Sequence, residues 1–471
     1  MKDMNGLDGG MVAVDQDVIE LLDVSLRGNV LVPGSADYDA ARTIWNGMVD
    51  RKPGLVIQAL GTSDVQKAVN FARRNGLLMA VKSGGHQIAG HAVADDALLL
   101  DLSRMRSVHV DPGTKRARVE PGALLGDLDR ETQSHNLTVP LGINSTTGVA
   151  GLTLGGGFGW TTRKFGMTID NLLSAEVVTA KGEIVTASKN ENPDLFWALR
   201  GGGGNFGVVT SFEFMLHALG PQVLSGLVVH PIADAPGLLR EFATIADNAP
   251  EELTVWTVMR KAPPLPFLPE EWHGREVLIF AACYAGPLSD GEAAMADLRA
   301  LGTPIVDVIS PHDFVDWQSA FDPLLTPGAR NYWKSHDFRE LPGPAIDTLL
   351  AAIDSLPDPA CEVFIAHVGG KMARVGNTET AYPERRAHFI MNVHTRWEDP
   401  GKDAVCIGWA RDLFSSMEPY STGSVYVNFM PADEVDRVSG VYGENMKRLV
   451  QVKSKYDPEN FFRLNHNIQP G

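Results

Sequence analysis

The chain is poor in cysteine. Cys283, Cys361 and Cys406 are its three thiols, far apart in 471 residues. No CxxC pair or metal-type spacing joins them, so neither a disulfide framework nor a cysteine metal site is supported. Long apolar runs are missing too, and no stretch is long enough to span a bilayer. Cationic surplus is absent: 41 Lys and Arg face 58 Asp and Glu, for a net charge of −17. Such a surface repels phosphate backbones, so no nucleic-acid partner is expected. The opening MKDMNGLDGG has acids and glycines but no apolar centre, and does not read as a signal peptide. A soluble, cytoplasmic protein without metal or membrane contacts is the expectation.

Glycine is what the chain has in quantity, 47 residues, beside a hydrophobic fraction of 44%. The length suggests two to four domains. One stretch stands out, Val81–His91, VKSGGHQIAGH. Gly84 and Gly85 deliver the chain to His86, and Gly90 follows. Paired glycines let backbone N–H groups come close to a ligand. The stretch reads either as a ligand wall or as a Gly-rich turn with a solvent-facing histidine.

Its surroundings bear on that choice. Residues 1–12 look disordered. Leu55–Leu60 reads as a strand, and Ser63 with Gln66 as a capping-box start. Val65, Ala68, Val69 and Ala72 recur at helical spacing. Leu78–Lys82 is a second strand running into His86, at the carboxyl end of a βαβ unit, where α/β folds place ligands. Short strands then flank Asp111-Pro112-Gly113. Leu124–His135 reads as a helix with Asp127, Asp129 and Arg130 on its polar side. Residues 142–171 are dense in glycine but carry Val149, Leu152 and Leu154, which favours a ligand cradle over a mobile loop. Gly202, Gly204 and Gly207 spell GxGxxG, yet they follow a helix and open a strand, Val208–Phe214. That order is wrong for NAD binding.

From residue 217 to 424 the texture changes to alternating strands and helices, an antiparallel sheet with helices on one face. Trp256, Trp272, Trp317, Trp333 and Trp397 lie there, as core or as the wall of a flat substrate's site. Lys261–Glu270, KAPPLPFLPE, is either a lid or a surface loop. Gly423–Phe429 reads as a strand with Tyr426 and Asn428 on one face. Val435–Val452 reads as an amphipathic helix, and Asn465, His466 and Asn467 as packed polar groups in need of partners.

Five motifs in order carry a resemblance: SGGHQIAGH (83–91), GVAGLTLGGGFGWTTRKFGMTIDN (148–171), RGGGGNFGVVTSFEF (200–214), YVNF (426–429) and YDPENFFRLNHNI (456–468). Together they resemble bacterial members of the berberine-bridge-enzyme-like FAD-linked oxidoreductases, in the vanillyl-alcohol-oxidase superfamily with its PCMH-type FAD-binding domain. The resemblance implies an α+β fold. An FAD-binding domain of two α/β subdomains would take residues 1–216 and return at 425–471. A substrate domain, 217–424, would roof the flavin with an antiparallel sheet covered by helices on one face.

The resemblance also implies site residues. His86 would carry a covalent link to the flavin 8α-methyl carbon. Ser83, Gly84, Gly85 and Gln87, with Gly155, Gly156 and Gly157, would offer backbone N–H groups to the pyrophosphate. Val208 and Val209 would flank the adenine. Gly142, Thr146, Gly148 and Gly151 would complete the cradle, with Asn428, Asn465 and Asn467 from the tail. His91 would be a secondary contact. Many relatives attach the flavin a second time through a cysteine; Asn144 stands there, so a single link is expected. Thr147 falls where the family gates oxygen, and its valine-like size favours an oxidase.

The family oxidises alcohols or similar C–H-bearing groups, passing hydride to the flavin while a base takes the hydroxyl proton. Tyr426 is the first candidate for that base. Asn392 and His394 share one side of a strand. Relatives carry Glu or Gln where Asn392 stands, and asparagine is no base. His466 replaces the usual Gln and faces the flavin in this reading. The expected substrates are an oligosaccharide, an aromatic alcohol or a secondary metabolite, with dioxygen as acceptor. A dehydrogenase or oxidative cyclase using another acceptor is the alternative within enzymes, and a flavin-carrying binding protein the alternative outside them.

Overall fold

The computed structural model describes residues 1–471, apart from the side chain of Val435. Strands Leu55–Gln58, Leu98–Asp101 and Met79–Lys82 run parallel, with Asn29–Leu31 antiparallel at the edge. Helix Thr62–Arg74 connects the first and third of these. Its Val65, Ala68, Val69 and Ala72 are fully buried against Leu55, Ile57 and Leu98. The expected βαβ unit therefore exists, but Leu98–Asp101 is inserted between its two strands. Two runs of similar apolar character cannot reveal such an insertion from sequence. An antiparallel sheet follows, in the order Ile184–Ser188, Leu172–Val178, Val208–Met215, Arg116–Val119, Val108–Asp111.

Residues 222–397 build the largest sheet. From one edge its long strands are Gln222–Pro231, Glu276–Tyr284, Leu253–Lys261, Glu362–His367, Phe389–Trp397 and Arg330–Phe338, all antiparallel. Side chains alternate between its two faces. Val228, Phe280, Val363 and Met391 pack under the helices Ala235–Asn248, Leu288–Arg299, Gly343–Ile353 and Asp403–Met417. Trp256, Ala281, Ala366 and Ile390 face the other way, towards Phe158, Trp160 and Tyr426. After residue 424 the chain goes back. Val425, Leu449, Val452 and Ile468 join Val209, Phe212 and Trp197 in one core. Phe461 and Phe462 join Leu55, Ile57 and Val208 in another.

Several expectations are corrected. Residues 2–14 are a hairpin, Lys2–Asn5 with Met11–Val14, because Met4 and Val14 anchor it in the first core. Helix Thr62–Arg74 starts after Gly61 and not at a Ser63 capping box; Gln66 instead donates to the Gly182 carbonyl, 2.7 Å away. Asp129 is not on a polar helix side: it is 1% exposed and accepts from Gln318 Nε2 at 3.1 Å. No strand spans Gly423–Phe429; Tyr426 is extended and leads into a short 3₁₀ turn, Val427–Phe429. The expected helix from Val435 is broken at Gly443 (φ +48), giving Val438–Tyr442 and Met446–Tyr456. Val435 itself, at the start of that expected helix, has a side chain outside the described residues. Among the described residues no helix is long and apolar enough to cross a membrane.

Candidate active site

A cavity of about 670 Å³ lies between the glycine-rich loops and the inner face of the large sheet. The loop after strand Met79–Lys82 forms its first wall, with Ser83, Gly84, Gly85, His86 and Gln87. Gly85 has φ +64, and a Cβ on Gly84 would stand 2.6 Å from the Gly148 Cα. The two glycine-rich segments therefore cross in direct contact, which any side chain at Gly84 would prevent. Among the described residues, no protein acceptor faces the N–H groups of Gly84, Gly85 and Gln87. His86 stacks on Trp45, ring centroids 4.3 Å apart and planes 23° apart. Thr146 Oγ1 lies 3.4 Å from His86 Nε2. Burial draws the His86 pKa down to about 3, so the imidazole is neutral at pH 7.

The second wall comes from Gly142, Asn144, Thr147, Gly148, Gly151 and Gly155. Asn144 Oδ1 accepts from the Thr146 N–H (2.9 Å) and hydroxyl (2.6 Å), leaving its buried Nδ2 without a partner. Thr146 itself lies behind His86, not on the wall. The expected amide cluster at 155–157 is corrected. The N–H groups of Gly155 and Gly156 bond to the carbonyls of Gly151 and Thr153, and that of Gly157 to the Tyr426 hydroxyl. A helix end and a tyrosine have taken those donors, and Gly156 and Gly157 do not line the cavity.

The tail closes the far end. Val208, Val209, His91, Asn465 and His466 line it there, while Asn467 does not. Asn465 Nδ2 donates to the carbonyls of Gly204 (3.2 Å) and Phe462 (3.1 Å). His91 and His466 meet edge-on at 5.3 Å. Burial, and secondarily His91, draws the His466 pKa down to about 3. Its buried Nε2 has no partner.

The roof carries the polar chemistry. Arg260, Glu362, His394 and Trp333 are successive cross-strand partners on four neighbouring strands. Arg260 donates to Glu362 Oε2 at 2.6 Å, and His394 Nδ1 lies 2.9 Å from Glu362 Oε1. Burial would raise the Glu362 pKa, but Arg260 and then His394 hold it at about 2. An ionised Glu362 accepts a hydrogen bond from Nδ1–H, which leaves His394 Nε2 as the acceptor. That Nε2 is buried and unpartnered, on a cavity-lining residue. Asn392, one step along, also lines the cavity, with both amide atoms unpartnered.

Tyr426 and Asn428 do meet, but across a 3₁₀ turn and not along a strand. Asn428 Nδ2 and the Gly157 N–H both donate to the Tyr426 oxygen at 3.0 Å. Burial raises the phenol to about 12. It is neutral at pH 7, with two donors already on its oxygen.

The residues fit a flat dinucleotide cofactor such as FAD. A long cavity, free amides at 84–87, and unpartnered buried atoms on Asn144, Asn465 and His466 are what such a ligand would satisfy. None of the three cysteines lines it. Of the five tryptophans singled out in the sequence, Trp256, Trp317 and Trp333 line it, and Trp272 and Trp397 do not. Sequence reasoning missed Trp45, Arg260 and Glu362. Only strand register reveals the last two; Trp45 carries no local signal.

Comparison with known proteins agrees. The model of the FAD binding domain family matches residues 53–188, and that of the berberine and berberine-like family residues 425–469. An FAD-linked oxidoreductase of Dictyostelium discoideum is 34% identical over 95% of each chain. The (R)-6-hydroxynicotine oxidase of Paenarthrobacter nicotinovorans is 30% identical over 95% of this chain and 98% of that one. The solved 6-hydroxy-D-nicotine oxidase from Arthrobacter nicotinovorans superposes with a TM-score of 0.86 at 28% identity, covering 95% of this chain and 99% of that one.

Proposed function

This chain belongs to the berberine-bridge-enzyme-like FAD-linked oxidoreductases of the PCMH type, and from that premise we propose an oxidase of alcohol-type substrates whose base is His394. The Glu362–His394 pair carries the reading. Glu362 fixes the tautomer, and His394 Nε2 is a free acceptor on the cavity wall. FAD held in the cleft would supply the hydride-accepting chemistry, with dioxygen as the terminal oxidant. His394 Nε2 takes the hydroxyl proton of the substrate, and Glu362 stabilises the resulting imidazolium. Asn392 offers a donor and an acceptor to orient the substrate. Phe158, Phe364, Phe429 and Trp256 keep water out and suit a flat or apolar substrate body. The Tyr426 hydroxyl fixes the Gly157 turn against Asn428.

His86 is the proposed tether, through a bond from the imidazole to the flavin 8α-methyl carbon. A neutral, stacked imidazole on the cavity wall supports it. Asn144 in the cysteine position supports a single link. Thr147, a small side chain on the wall, supports dioxygen as the acceptor. Anaerobic mixing of the yellow holoenzyme with benzyl alcohols and then air tests the reading. Bleaching, followed by one peroxide per substrate, is expected. Bleaching without peroxide would turn the reading to a dehydrogenase or cyclase. No bleaching with alcohols, sugars or cyclic amines would leave a flavin-carrying binding protein.

A further inference from the structure

The inner face of the roof sheet changes character along two adjacent rows. One row holds Arg260, Glu362 and His394. The next runs, partner by partner over five strands, from Val229 through Ile279, Val258 and Phe364 to Asn392. All five line the cavity. With strands roughly 4.8 Å apart, Asn392 and Val229 stand about 19 Å from each other. The polar end of the row is thus joined to a long apolar floor.

That floor has an apolar cover. The loop after Lys261 folds over it, and Leu265, Phe267 and Leu268 line the same cavity. Leu268 packs with Val229 and Ile279 in one cluster. Pro263, Pro264, Pro266 and Pro269 fix φ along the loop, so the cover is preformed. Phe267 stays 36% exposed at the mouth. Opposite, the His312 ring nitrogens are held by Ser225 (3.1 Å) and Ser310 (3.3 Å), and Asp316 is exposed at the rim. A sugar chain lying over this floor would leave hydroxyls without partners, which is costly. An alkyl chain would not.

We propose that the substrate is an alcohol bearing a long, uncharged apolar tail, its carbinol at His394 and Asn392 and its tail under the Pro263–Leu268 loop. The assignment rests on His394 as the base end of the site. The probes are 4-alkylbenzyl alcohols from methyl to octyl, with cellobiose as the polar control. They are titrated anaerobically into the holoenzyme, and dissociation constants are read from the visible flavin spectrum. Affinity should tighten about fourfold per added methylene until the floor is covered. L265N and F267S should cut the octyl-to-methyl affinity ratio by about tenfold. Phe267 is exposed, so F267S keeps the fold, and a melting curve checks L265N. Chain-length-independent binding, no binding at any length, or cellobiose binding tighter than the octyl compound overturns the proposal. Chain-length-dependent binding without bleaching leaves it standing and removes the catalytic reading. Bleaching at equal rates and affinities for all lengths does the reverse.

Discussion

Glu362 Oε1 lies 2.9 Å from His394 Nδ1, and the two residues are direct partners on adjacent antiparallel strands. Backbone pairing fixes their separation, so the imidazole is aimed without long flexible side chains. H394N should slow anaerobic flavin reduction about 10²–10⁴-fold, the usual contribution of a positioned base. Flavin content should stay at the native level. Near-native reduction by H394N in rapid mixing would exclude it as the base.

E362Q keeps the shape and loses the charge. Reduction should slow by roughly 10²-fold, with substrate dissociation constants little changed. E362A should in addition lower stability by about 3–5 kcal/mol, since Arg260 would be buried without its partner. Rapid kinetics and denaturant melts separate the two effects. If E362Q weakened binding and left the reduction rate alone, a purely structural pair would be indicated.

H86A tests the tether. Acid-precipitated wild-type protein should retain its yellow colour in the pellet, and H86A should release it to the supernatant. Colour left in the H86A pellet would place the attachment elsewhere.

Asp129 gives a pH-dependent stability. Burial pushes its pKa up to about 7, with Gln318 opposing. The unfolded group titrates near 4. Between those values the folded state holds the extra proton, so stability falls as pH rises from about 4 to 7 and is then level. D129N keeps a hydrogen-bonding partner for Gln318 and removes the charge. Its unfolding free energy relative to wild type, from denaturant melts, should be higher at pH 8 than at pH 5 by about 3 kcal/mol. Parallel pH profiles would show that Asp129 ionises freely.

Individual helices and strands were legible because their signals are local. Helical spacing at Val65, Ala68 and Val69 and a strand carrying Asn392 and His394 appear where expected. The crossing of the two glycine-rich segments left its mark as glycine density, because glycine is needed where two backbones touch, as at Gly84 and Gly148. The proposed base pair, Glu362 and His394, was only half legible. His394 announces itself as a polar residue in an apolar strand, but Glu362 gains meaning from a neighbour 32 residues away in register. The surroundings of Tyr426 were not legible for a related reason: the Gly157 amide on its oxygen comes from 269 residues earlier. Asp129 shows the limit of helical patterning, because the short helix Phe314–Gln318, distant in sequence, covers its polar face.

The return of the tail has a consequence for biosynthesis. Lys453 Nζ is buried, held by Asp457 and by the carbonyls of Asn205 and Phe462. His91 meets His466 across the same end of the cavity. A ribosome therefore releases the first wall of the cleft long before the last one. Until residue 468 has emerged, the early sheets expose the surface that Phe461, Phe462 and Ile468 cover, and FAD has only part of a site.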